Sequence, residues 1–320
     1  MAALFPAAQL SAWSEESQAE GQALLSKALE ITDIRSPGST PFVLVATVHI
    51  EDHGKGVDGL YATSWAEPTK FRRSVSFPTF TETDVATREY VFKRRNTEAV
   101  PLLVWQVNRM MDSFFKHQFH PNSKIKKTFT QQENGVELIC IESKEGDIGS
   151  TICLRQDTSD PVSVDVDTGR SPVYREHYQF EDYQPFAGKR FPHSIRFAGW
   201  GSRSVDIRVE KFLPAQAFAD HEFTPLPEST RFVVCADEPG GVADGGIGLA
   251  TTRASGFGRI EAALYLEIGP DGAPRYGEVV YSSAPVQNKN LLAVFLHGRF
   301  PVRSCNGRPV AYEIMMRMAT

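Results

Sequence analysis

Apolar residues recur along this chain with two periods, and their alternation divides it into a long β-rich part and a short mixed tail. From Gln18 to Ile31, Ala23, Leu24, Ala28, Leu29 and Ile31 fall at helical spacing with Glu and Lys between them, which predicts an amphipathic first helix ended by Pro37 and Gly38. Phe42 to Ile50 then switches to period two. Phe42, Leu44, Ala46, Val48 and Ile50 share one side of a strand, with Val43, Val45, Thr47 and His49 opposite. Three further strand-like runs follow, starting at Gly59, Lys70 and Thr87 and bounded by turn residues, so an antiparallel meander is expected. VPLLVWQVNRMMDSFF breaks the period and places Leu103, Val107, Met110, Met111 and Phe114 on one helical face.

Strands resume at KIKKTFTQQ and continue as successive hairpins to SVDIRVEKFLP. After Pro214 the periodicity is lost and Pro, Ser, Gly and acidic residues accumulate, so residues 215–234 read as a linker and 235–320 as a second module. That module predicts strand (260–268), Gly-Pro-Asp-Gly turn, strand (277–282), helix (288–297) and closing strand (310–318). The fold class expected is α+β, mostly antiparallel β. The hairpins up to residue 214 read as a large curved sheet, and a β-β-α-β module follows.

Composition narrows the function classes. At 320 residues and 41% hydrophobic content the chain can bury two cores. Its net charge of -5 gives no attraction for phosphate, so nucleic acid is not an expected partner. No window approaches the length of a membrane-spanning helix. The opening MAALFPAAQLSA ends in small residues yet lacks a basic start and a long apolar stretch, so residues 1–17 read as a processing remnant or flexible start.

Cys140 and Cys153 sit in strand-like runs on either side of KEGDIGS, a spacing that lets them face each other across a hairpin, and Cys235 and Cys305 lie near the two ends of the tail. Without CxxC or neighbouring Cys/His spacing, two disulfides in an oxidising compartment are expected over a metal site, against a rival reading of four buried thiols. The histidine pairs His49/His53 and His117/His120 do not form HExxH. Glu176, Glu181 and Asp182 read as strand-edge carboxylates, Lys93-Arg94-Arg95 as a solvated strand end, and GGVADGGIGLA as a linker. Neither catalysis, a metal nor a cofactor is expected. Tyr61, Trp65, Phe71, Phe77, Tyr90 and Phe92 alternate along consecutive strands, so several can converge on one side, lining a ligand cavity or filling a core.

Two resemblances add to this reading. Residues 260 to 318, with Asp271-Gly272 in the hairpin and Arg299-Phe300-Pro301 after the helix, resemble the TonB C-terminal domain. The leading helix, the step SWAEPTKFRRSVSF and the hairpin FAGKRFPHSIRF, with Gly188 and Pro192, resemble more weakly the LolA/LolB-type lipoprotein carriers, which implies an unclosed N-terminal β-barrel (18–214) with helices at its mouth. Together they imply a non-enzymatic periplasmic protein whose tail grips an extended partner, such as a segment of a TonB-dependent receptor. The final strand, with Val310, Tyr312, Ile314 and Met316, is then the expected binding edge or a homodimer contact. The alternative implied is a carrier of a lipid or lipoprotein acyl chain, with the tail used for docking alone.

Overall fold

The computed structural model describes residues 8–111, 124–145, 148–167, 175–234, 244–248 and 260–319. Its elements begin with α1 (Ala8–Thr32), β1 (Phe42–Asp52), β2 (Lys55–Glu67), β3 (Lys70–Ser76), β4 (Thr81–Thr87), β5 (Tyr90–Arg95) and α2 (Leu102–Met111). Seven long strands follow: β6 (Lys124–Glu133), β7 (Val136–Glu145), β8 (Ile148–Arg155), β9 (Pro161–Asp167), β10 (Glu176–Phe186), β11 (Lys189–Gly199) and β12 (Arg203–Pro214). The remainder comprises β13 (Thr230–Val233), β14 (Asp244–Gly248), β15 (Glu261–Ile268), β16 (Pro274–Ser282), α3 (Asn288–Leu296), β17 (Arg303–Cys305), β18 (Arg308–Val310) and β19 (Tyr312–Ala319). Mostly antiparallel strands with few helices agree with the expected class, and the large sheet is open, its order ending at β13 and β6.

The chain forms two compact units that do not follow the expected boundary at 214. Residues 35–47 and 58–113 group with 211–320, while 48–57 and 114–210 group with the N-terminal helix. The expected linker 215–234 contains β13, whose residues Thr230 to Val233 pair with Lys93 to Tyr90 of β5.

In the first unit β12-β11-β10-β9-β8-β7-β6 form an antiparallel run. Its hairpins turn on residue pairs in the left-handed region, Asn134-Gly135 and Ala187-Gly188, the backbone twist that two-residue turns need. Helix α1 packs on β6 and β11, and Gln18 Oε1 accepts from the Ile125 amide at 2.8 Å. The helix approaches so closely that a Cβ on Gly21 would stand 2.7 Å from Ile125 Cδ1.

In the second unit the register settles which residues share a face. Tyr61 opposes Val75, Thr63 opposes Arg73 and Trp65 opposes Phe71. Phe71, Arg73 and Val75 in turn oppose Ala86, Asp84 and Glu82 of β4, which oppose Val91, Lys93 and Arg95 of β5. One side of β2–β5 therefore carries aromatics at one end and charges at the other. Phe42 stacks on Trp65 (ring centroids 5.4 Å) and meets Phe212 edge-on at 5.2 Å, which extends the aromatic end. Helix α2 lies over this side: Asn108 Nδ2 donates to Glu82 Oε1 at 3.0 Å, and Arg35 joins the Met111 carbonyl to the Tyr61 hydroxyl.

The C-terminal module keeps the expected strand, turn, strand, helix, strand order, with a β17–β18 hairpin added before β19. Its sheet order is β14-β19-β15-β16. One face of β15 (Ala262, Leu264, Leu266, Ile268) packs on Leu291 and Phe295 of α3. The opposite face presents Ala263, Tyr265 and Glu267 beside Arg317, Met315 and Glu313 of β19. Burial on both sides explains why EAALYLEI reads as a near-continuous apolar run with little alternation. Gly272 has a positive φ, and a Cβ there would collide with the Phe300 carbonyl, whose own amide donates back to Gly272 at 2.9 Å. The Asp-Gly turn and the Arg-Phe-Pro step thus form one joint.

Candidate functional site

The charged end of the β2–β5 side meets the second face of the C-terminal sheet through a buried ion network. Glu313 of β19 accepts from Arg95 Nη1 at 2.6 Å, Arg95 Nη2 at 3.0 Å, Lys93 Nζ at 2.7 Å and the Tyr265 hydroxyl at 2.5 Å, so both its oxygens are saturated. Arg95 also binds Glu82, and Arg73 binds Asp84. Three cations thus match three carboxylates, with every partner nearly withdrawn from water. Lys93-Arg94-Arg95 is not the solvated strand end expected: only Arg94, on the other face, is exposed.

Electrostatics follow from that burial. Desolvation alone would raise the Glu313 carboxyl, but Arg95 and Lys93 outweigh it and hold it well below the usual range. Glu82 is likewise lowered, against its burial, by Arg95, Lys93 and Arg73. Burial and the neighbouring Glu82 push Asp84 up to about 6. Burial, then Glu313, raises the Tyr265 hydroxyl far above its ordinary value. A cleft of about 590 Å³ opens beside the network, bordered by Asn96, Glu98, Thr230, Glu267, Arg275 and Tyr276. The network's own cations and carboxylates are paired with one another, so the arrangement clamps two sheets.

The expected aromatic set divides. Tyr61, Trp65 and Phe71 share the side covered by α2, and Phe77, just past β3, is also buried. Tyr90 and Phe92 point to the opposite side, where Arg231 lies over the Tyr90 ring at 4.5 Å, so the six do not converge. The parity of β5 decides this, because the buried set on that strand is Val91 and Lys93.

The final strand is not an edge. β19 lies between β14, parallel to it through Asp244↔Glu313 and Gly248↔Met316, and β15, antiparallel to it through Tyr265↔Met315. Val310, Tyr312 and Met316 are buried in the module's own core and Ile314 packs against it, so these side chains are committed to stability. Val310 itself belongs to β18. The outer positions in this sheet, among the described residues, belong to β14 and β16.

Cys140 and Cys153 stand directly opposite in β7 and β8 and are joined by a disulfide, with Cα atoms 4.0 Å apart, as their spacing suggested. Cys305 is disulfide-bonded as well; Cys235, its expected partner, lies outside the described residues, as do Phe114, His117 and His120.

Other candidate chemistry resolves into structure. His53 Nδ1 lies 2.8 Å from Ser202 Oγ, and Asp52 is 3.7 Å from His53 Nε2. That order is triad-like, yet Asp52 is held by Arg203 at 2.9 Å and the histidine stands open to solvent on a hairpin tip. Glu176 is buried and accepts from Tyr178 and from Trp200 Nε1, while Glu181 pairs with Arg196 at the surface. Among the described residues no group of His, Cys, Asp and Glu could hold a metal ion, and no helix is long and apolar enough to cross a membrane.

Fold and site together define a mostly antiparallel β protein with one open sheet, a small capping module and a buried polar clamp. Neither a protein-family model nor a curated protein matches the chain. Among solved structures it is similar to a LolA-superfamily protein from Nitrosomonas europaea, at 11% identity and a TM-score of 0.43, over 64% of this chain and 97% of that one. A DUF1329 family protein from Desulfovibrio piger is similar at 10% identity and a TM-score of 0.44, over 65% of this chain and 97% of that one. Likenesses at these scores carry no functional argument.

Proposed function

We propose that the protein is a non-enzymatic carrier of a lipid or lipoprotein acyl chain in the periplasm, with the C-terminal module used for docking. The observation that carries this reading is α2. Seven of its ten residues are apolar and eight are buried, and Arg35 ties its Met111 carbonyl to the Tyr61 hydroxyl on the side where Phe42 stacks on Trp65. An apolar element laid on an apolar face marks the surface whose chemistry an acyl chain matches. The Cys140–Cys153 bond supports an oxidising compartment.

Native mass spectrometry and solvent extraction of the purified full chain test this. Bound acyl chains are expected, together with a fluorescence change of Trp65 and Trp105 when a fatty acid is added to the extracted protein. A protein that is empty as purified and unresponsive afterwards overturns the reading.

A second reading keeps the tail as a TonB-like grip on an extended partner, and β16 favours it: as one of the two outer strands of its sheet it could accept an added strand. Peptides from receptor N-termini should then protect the β16 amides, and not those of β19, from hydrogen exchange.

A further inference from the structure

The stretch from Ala284 to Tyr312 contains Lys289, Arg299, Arg303 and Arg308 and neither Asp nor Glu, in a chain whose net charge is -5. It forms a 3-10 turn (Pro285–Gln287), α3 and the β17–β18 hairpin on one side of the C-terminal module. Leu291 and Phe295 face the core, which leaves the other side of α3 without a covering element among the described residues. That outer side is unusually apolar: Val286 is 90% exposed, Val294 50%, Val302 51% and Leu296 39%. Val286, Asn290 and Val294 follow at four-residue steps, one above another, with Ala293 and His297 beside them. Val302 approaches Gly272 of the β15–β16 turn, within 3.4 Å of where its Cβ would stand. Lys289, Arg299 and Arg308 are exposed on the same stretch of chain, while Arg303 lies over the Tyr312 ring at 4.6 Å. The exposed Asp271 of the β15–β16 turn lies 3.4 Å from Arg299.

An occupant of this surface must be apolar at its centre and anionic at its rim. Protein interfaces draw their energy from Trp, Tyr and Arg anchors, with Val under-represented and Lys depleted. Exposed branched aliphatics and exposed cations on one segment that has no carboxylate match instead the interfacial zone of an anionic bilayer.

We propose that the outer face of α3 docks on an anionic lipid bilayer, with Val286, Val294 and Val302 entering the headgroup region and Lys289, Arg299 and Arg308 pairing with lipid phosphates. This specifies the docking role assigned above to the module, yet it needs no ligand in the open sheet.

Co-sedimentation of the full chain, stripped of any extractable lipid, tests it. Binding is expected to vesicles of equal parts phosphatidylglycerol and phosphatidylcholine and not to phosphatidylcholine alone, and raised salt should weaken it. Val286→Asp with Val294→Asp, and separately Lys289→Glu with Arg299→Glu, should each weaken binding by about tenfold or more. Leu60→Asp, at an exposed leucine outside the face, should leave binding unchanged. Circular dichroism and thermal melts of each variant confirm that the fold persists, since all these positions are exposed. Absence of binding, equal binding to phosphatidylcholine, or wild-type affinity in both pairs of variants overturns the proposal. So does a dimer, seen by ultracentrifugation, that the same substitutions dissociate, which would assign the face to a second copy. A chain that docks yet holds no acyl chain removes the carrier reading and leaves this one standing.

Discussion

Strands β1–β2 and β4–β5 are built on the same alternation, yet they bury opposite chemistries. On β1 and β2 the inward set is Phe42, Leu44, Ala46, Tyr61, Thr63 and Trp65; on β4 and β5 Ala86 and Val91 share it with four charges, Glu82, Asp84, Lys93 and Arg95. The first needs only exclusion of water. The second is tolerable because a strand more than two hundred residues later supplies Glu313 and completes the pairing. Alternation thus tells which residues share a face but not which face is dry.

The comparison can be broken most sharply at the clamp. Glu313→Gln leaves Lys93 buried without its carboxylate partner and Arg95 with Glu82 alone, and should destabilise the chain by about 3–5 kcal/mol in denaturant unfolding. Replacing Lys93, Arg95, Glu82 and Glu313 together by apolar residues of similar volume should restore much of that loss, and no recovery would show that the charges do more than neutralise each other. Trp65→Ala should destabilise by a similar about 3–5 kcal/mol, here through a cavity that no second substitution relieves.

The disulfide comes next. Cys140→Ser with Cys153→Ser opens a link between residues 13 apart and should destabilise by about 2–3 kcal/mol, without altering the clamp's response to acid.

That response has a definite sign. Glu313 is held below its ordinary value, so its contribution is complete above about pH 4.5 and fades as pH falls through its folded value. Asp84, pushed up to about 6, opposes this: its shift favours the folded state below about 3.8, and that benefit is lost as pH rises through 6. The wild-type chain should therefore lose stability on acidification more steeply than Glu313→Gln, and identical slopes would dismiss the clamp as the source. The smallest effect is expected at Phe92→Ala, on the far side of β5, at under about 1.5 kcal/mol.

Much of this architecture was legible in the chain, because periodicity and turn residues are local signals. The β-β-α-β tail, α2 and the Cys140–Cys153 pairing follow from spacing alone. What escaped was pairing at a distance. Lys93-Arg94-Arg95 looks like a solvated strand end until Glu313 is placed beside it, since no local feature distinguishes a charge that will be buried. Likewise the last strand of a chain looks like an edge, and only the parallel partner β14 shows that β19 is interior. The one available hint was EAALYLEI, whose apolar run across both parities says that β15 has two dry sides.

The separation of 220 residues between Lys93 and Glu313 also bears on how the chain comes into being. During synthesis β5 emerges with Lys93 long before Glu313 exists, so the clamp cannot close until β19 has left the ribosome. Closure is then a late event. A chain cut short before β19 should be held open by its own unmatched charges.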